Sequence, residues 1–201
     1  MDGQKSYDIP IYSAAARRYH WSVAALILIQ IPVGLYMVYR GNEMVTVNEQ
    51  GETIKGVWDG LTNTLYSSHK TLGLIILLLV ILRLGFRLTQ GTPAPDPTVP
   101  KPLIGISHLV HWLLYVLLIA VPVFGYLAIS YGNYLDVFGV RLPSVTPEDK
   151  GISETIFEWH ETGAKIIVAL VALHIAAAFF HKFIRKDRVV ERMIPKKSQN
   201  V

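Results

Sequence analysis

The chain has no cysteine among its 201 residues. That absence excludes disulfide bonds, cysteine-ligated iron–sulfur clusters and prosthetic groups attached through thioethers. Any redox centre here has to be held by other ligands. Charge is scarce as well: Asp, Glu, Lys and Arg make up 17% of the residues against 51% apolar ones. Such a balance does not fit a soluble core beneath a charged surface. No internal repeat and no separate soluble domain can be read from the sequence.

What is present instead is four apolar blocks, about 20–39, 69–88, 108–130 and 160–183. Each is close to the ~20 residues that cross a ~30 Å hydrocarbon layer as a helix. The pattern predicts an all-α integral membrane protein, a four-helix bundle forming one membrane domain over residues 1–201 with a basic tail at 184–201. The first twenty residues are polar, hold Lys5, Arg17 and Arg18, and offer no small-residue cleavage site. The first block therefore reads as a retained anchor and not as a signal peptide. The connection GTPAPDPTVPKP is too rich in proline to be helical, while Pro32 and Pro122 fall inside the first and third blocks. Neighbouring helices can satisfy the carbonyls those two prolines free.

Basic residues fall on alternate connections. The N-terminal arm, the second connection (Arg83, Arg87, Lys101) and the tail (Lys182, Arg185, Lys186, Arg188, Arg192, Lys196, Lys197) share one side. The other side has only Arg40, Lys55, Arg141 and Lys150 among many carboxylates. The positive-inside rule then puts both termini in the cytoplasm of a multi-pass protein. The positive net charge follows this topology, so it points to no nucleic-acid partner; lipid headgroups are the surface the tail meets. The first external loop, about 41–68, leaves room for a short strand or helix, and the second is turn-rich.

All seven histidines, His20, His69, His108, His111, His160, His174 and His181, lie within or at the ends of the apolar blocks. Taken singly, such a residue can be a hydrogen-bonding contact between helices or a proton relay. Their depths suggest more. His160 and His174 are fourteen residues apart on helix four, about 21 Å along its axis and on nearly the same face. One helix thus presents an imidazole at each membrane level, the spacing needed to hang two porphyrins one above the other. At the outer level His69 is the available partner; at the inner level His20, His108 and His111 compete. Gly34, Gly73 and Gly163 provide gaps beside these positions. A zinc site at His108 and His111 is disfavoured, because no nearby carboxylate completes a ligand set.

With these residues in view, the chain resembles the bacterial cytochrome b561 family of small di-haem membrane proteins. The resemblance is carried by YHW, SHKTLG, LRLGFRL, SHLVHWLLYVLLIAVPVFGY, WHETGAKIIVALVALHIAAAFFHKF and RKDRVVERMIPKK. It implies that His69 and His160 hold an outer haem b and that His20 and His174 hold an inner one. It leaves His108 and His111 free for quinone or protons. His111, His181 and Arg83 are the candidates for binding ubiquinone or another quinone; Arg83 and Arg87 can alternatively serve as positive-inside anchors.

The resemblance further implies an oxidoreductase of the bacterial inner membrane that passes electrons from superoxide, or a redox partner protein, to quinone. The alternative is a cytochrome b anchor subunit linking a peripheral dehydrogenase or hydrogenase to quinone. A histidine-bearing channel or transporter fits less well, since paired intramembrane carboxylates are missing.

Overall fold

The computed structural model describes residues 10–48 and 51–194. Lys5, Glu49, Lys196 and Lys197 of the charge pattern, and the end of the RMIPKK segment, lie outside the described residues. The architecture is four long helices: α1 (Ala14–Val38), α2 (Gly60–Gln90), α3 (Lys101–Tyr131) and α4 (Lys150–Phe179). The last turns of α1 and α4 widen into π-helical segments, Tyr39–Glu43 and Phe180–Arg185. With 25 to 31 residues each, the helices are about 38–46 Å long at 1.5 Å per residue, enough to cross a bilayer and emerge from it. All four are apolar enough to be spans.

The helices start earlier than the apolar blocks, and their caps explain why. The Asp59 carboxylate accepts the Thr62 amide at 2.8 Å, and that of Asp149 accepts the Ile152 amide at 3.0 Å. Each satisfies an amide with no partner inside its helix. Polar turns therefore precede His69 and His160. Ser13 caps α1 in the same way, and Gly91 ends α2 with a φ of 71°. Pro32 and Pro122 lie inside continuous α1 and α3.

Backbone packing is closest between α3 and α4 and between α1 and α2, with α2 and α3 joining the two pairs. A compact cluster of Val23, Ile27, Ile76, Val80 and Tyr115 fills the centre of α1, α2 and α3. Around the outside the bundle is apolar: Leu28, Leu35, Leu78, Leu109, Val116, Leu173 and Phe179 are all exposed. Water would not tolerate so continuous a surface, and lipid requires one.

Two small hairpins occupy one end of the bundle. β1 (Val45–Val47) pairs antiparallel with β2 (Thr53–Lys55), so the first loop holds short strands. Arg40, only 7% exposed, fixes this loop: it donates to Thr62 Oγ1 at 3.0 Å and to the Asp59 carboxylate at 2.7 Å. The Asp59 carboxyl is held below its usual range, first by the Thr62 amide and then by the Thr62 hydroxyl and Arg40. β3 (Asp136–Val137) and β4 (Val140–Arg141) form the second hairpin, tied to α2 where Lys70 Nζ donates to the carbonyls of Tyr134 and Asp136 at 2.7 and 3.1 Å.

The opposite end is closed by the segment after α4. Arg192, 6% exposed, donates to the carbonyls of Pro10 and Ala94, and Arg185 donates to that of Thr98. The Trp21 indole donates to the Met193 carbonyl at 2.8 Å. Three stretches far apart in sequence are thus fastened together by side chains donating to backbone oxygen.

Candidate functional site

Six of the seven histidines are part-buried; His108 is exposed on α3. Four of the buried ones form two cross-bundle pairs. Near the hairpin end, His69 of α2 faces His160 of α4 with ring centres 6.0 Å apart and planes at 80°. Toward the other end, His20 of α1 faces His174 of α4 at 6.1 Å and 71°. The fourteen-residue separation on α4 therefore does place two imidazole pairs one above the other.

At the second level His174 has two neighbours. The His111 ring lies 5.3 Å from it, nearer than His20, and His111 Nδ1 is within 3.4 Å of the Ser107 hydroxyl. Arg83 is close enough for its charge to be felt at His20, His111 and His174. Its guanidinium lies 5.6 Å from the centre of the Tyr115 ring. Arg87 shares that ring and also covers Trp112. His181 follows seven residues after His174, in the π-helical segment beyond α4, and a partner holds it: its Nδ1 is 2.6 Å from the Asp187 carboxylate, which also accepts from Arg185 at 3.0 Å. Of the candidate quinone residues, His111 and Arg83 are thus gathered at the His174 level, while His181 belongs to the closure of the bundle end.

The first pair rests on glycines. A Cβ on Gly125 of α3 would stand 2.9 Å from both Nδ1 and Cε1 of His160; on Gly34 of α1 it would stand 3.1 Å from Cε1 of His69. The bare surface at Gly125 lets the His160 ring reach one turn back along α3, where its Nδ1 lies 2.8 Å from the Val121 carbonyl. A carbonyl can only accept, so Nδ1 carries the proton and Nε2 keeps its lone pair. Gly163 packs on Val121 and Gly73 on the Gln30 side chain.

Gly125, Val121 and Gln30 were not singled out from the sequence. Their importance depends on which helix packs on which histidine. The one available signal for Gly125 was its position in the middle of a long apolar helix.

Two imidazoles alone make a poor binding site for a bare metal ion, and among the described residues no three His, Cys, Asp or Glu side chains converge on a point. A pair suits a metal that brings its other four ligands with it, as haem iron does. An imidazole nitrogen binds a first-row metal at about 2.0 Å, so an ion shared end-on by two imidazoles holds their ring centres about 6 Å apart. Both facing pairs have that separation, and His160 has the tautomer such a ligand needs. On these observations the residues present fit haem.

Residues 11–196 match the family described as prokaryotic cytochrome b561. The chain is similar to a probable superoxide oxidase, CybB, of Yersinia pestis, with 34% identity over 64% of this chain and 74% of the relative. It is also similar to two proteins of Escherichia coli K12. Cytochrome b561 homolog 1 is 32% identical over 65% of this chain and 74% of its own length. Homolog 2 is 25% identical over 94% of both chains.

Proposed function

The chain belongs to the prokaryotic cytochrome b561 family of haem b membrane electron carriers, and from that premise we propose that it is a di-haem oxidoreductase passing electrons from superoxide to membrane quinone. The observation that carries this reading is the stacking of two facing histidine pairs along α4, with ring centres 6.0 and 6.1 Å apart. In this reading the hairpin end faces outward, the termini are cytoplasmic and the membrane is the bacterial inner membrane. His69 and His160 hold the outer haem, His20 and His174 the inner one. The 5.3 Å between His111 and His174 is short for an ion held between them, given the spacing of about 6 Å that two metal–imidazole bonds require. That supports His20 as the ligand and leaves His111 free.

When bound, haem b would supply a reversible one-electron carrier. The chain supplies the rest. Gly34 and Gly125 let the ligand rings seat, and the Val121 carbonyl fixes the His160 tautomer. Lys70, beside His69, is bound to two backbone carbonyls, so its charge meets no carboxylate directly. Lys165 is paired with Glu161 at 2.7 Å, and Arg141 with Asp136 at 3.2 Å. Lys70 is therefore the cation best suited to draw an anionic donor toward the outer pair. Each superoxide gives up one electron and leaves as dioxygen. Two such electrons and two protons convert quinone to quinol at the inner level, where Arg83 can hold the ring oxygens and His111 can pass a proton.

The test is a superoxide pulse delivered to purified, haem-loaded protein with quinone present, following haem reduction and quinol yield. Rapid haem reduction with one quinol per two superoxides supports the reading. No reduction by superoxide, alongside fast reduction by a co-purifying dehydrogenase, would establish the anchor-subunit role instead.

A further inference from the structure

Gln30 is a polar side chain in the middle of α1, four residues before Gly34 and so on the same face of the helix. Its amide reaches α2 at the outer ligand, where Nε2 donates to the main-chain carbonyl of His69 at 2.9 Å. Gly73, one turn further along α2, packs beside the same amide; a Cβ there would stand 3.6 Å from Nε2, an ordinary contact. The carbonyl can only accept, so the amide atom facing it is the nitrogen and the oxygen is left over. Gln30 Oε1 is buried without a hydrogen-bond partner, and so is Nδ1 of His69. An unused acceptor and a nitrogen able to donate thus lie buried in one contact between two residues. Burying such groups unmet is unfavourable, and a bilayer offers no water to relieve it.

The ligand assignment above, on which this inference rests, gives the two atoms a use. A histidine that binds iron through Nε2 carries its proton on Nδ1, and such protons are ordinarily donated to a carbonyl, carboxylate or water. For His160 the acceptor is the Val121 backbone. His69 has no such backbone bond, and the free acceptor beside it is an amide side chain. We propose that Gln30 is a positioning residue for the outer haem: its Oε1 accepts the Nδ1 proton of His69 while its Nε2 grips the His69 carbonyl. One side chain then sets the tautomer, orientation and basicity of a ligand. Of the two acceptors serving the outer pair, this is the one that a single substitution can alter, because the other is main chain.

A stronger acceptor on Nδ1 makes the imidazole a better donor to iron and favours the oxidised state; removing the acceptor favours the reduced one. The experiment compares haem-loaded wild type, Gln30→Leu and Gln30→Glu by haem content, redox titration and low-temperature EPR. The outer haem is identified as the one missing from His160→Ala. Leucine has no acceptor, so Gln30→Leu is expected to shift the outer couple about tenfold toward the reduced form, about 59 mV upward for one electron. Its outer-haem g-values should change and the inner haem should not. Glutamate keeps an acceptor in either protonation state, so Gln30→Glu should leave the outer potential near wild type or lower it.

Unchanged outer potential and g-values in Gln30→Leu, with both haems bound, would overturn the proposal. So would equal upward shifts in the leucine and glutamate variants. Should Gln30→Leu lose the outer haem, Gln30→Glu decides: full occupancy at a wild-type or lower potential supports the role, and loss in both overturns it. Retention of both haems by His69→Ala would reveal a different failure, that of the ligand assignment.

Discussion

Replacing Gly125 with alanine tests the seating of His160 directly. The new Cβ would stand 2.9 Å from two atoms of the imidazole. Carbon contacts settle at about 3.5–4.0 Å, so the ring has to retreat by roughly 0.6–1 Å. The Nδ1 bond to Val121, now 2.8 Å, would then lengthen beyond the ~3.2 Å limit of a good hydrogen bond. Leaving that donor and acceptor unmet costs about 1–3 kcal/mol, or roughly ten- to hundredfold in affinity for what His160 holds. The assay is haem per polypeptide by pyridine haemochrome, together with the reduced-minus-oxidised spectrum. Gly105→Ala, on the same helix with nothing within 4 Å, is the control and should bind haem like wild type. Gly34→Ala, where the clash is milder at 3.1 Å, should fall between them. A full haem complement with a wild-type spectrum in Gly125→Ala would refute the reasoning, as would an equal loss in Gly105→Ala.

Three further outcomes are expected. His160→Ala and His174→Ala should each remove a different haem, with His69→Ala copying the first and His20→Ala the second, while His111→Ala keeps both; pyridine haemochrome and EPR distinguish these cases. Lys70→Gln should reduce the salt dependence of superoxide-driven haem reduction more than Lys165→Gln, measured from 20 to about 300 mM salt, a range over which exposed charges become screened. Burial pushes the Asp187 carboxyl up, but hydrogen bonds from His181, Arg185 and the Val189 amide outweigh it and hold the group below its ordinary range. A depressed carboxyl stabilises fully above its unfolded value of about 3.9 and loses that contribution as pH falls through the lower folded value. Docking of the segment after α4 should therefore be steady across neutral pH and loosen only in acid, whereas Asp187→Asn should loosen it at neutral pH. Protease cleavage near Arg188 and Arg192 reports either change.

Much of this was legible because a helix in lipid leaves few choices. Apolar blocks gave the four crossings, and the fourteen-residue interval between His160 and His174 placed two imidazoles on one face. Helix length was less legible, since apolarity marks the crossing and not the helix. The polar turns before His69 and His160 were left out, although Asp59 and Asp149 were there as caps. At the His174 level the spacing left three partners open; packing removes His108 to the exterior and leaves His20 and His111 both beside His174. Neither Gln30, Gly125 nor the Val121 carbonyl could be ranked from one sequence, because each matters through a neighbour on another helix. The His181–Asp187 contact depends on a turn through Lys186 with a φ of 54°, which no composition or periodicity signals.

The arginine contacts at the terminal end also impose an order in time. Arg185 and Arg192 fasten stretches that a ribosome makes much earlier, around Pro10, Ala94 and Thr98. Until those two arginines emerge, nothing in this set of bonds joins the start of α1 to the linker before α3. The four helices can all be inserted while that end is still unfastened, and a stretch synthesised after all of them is the one that closes it.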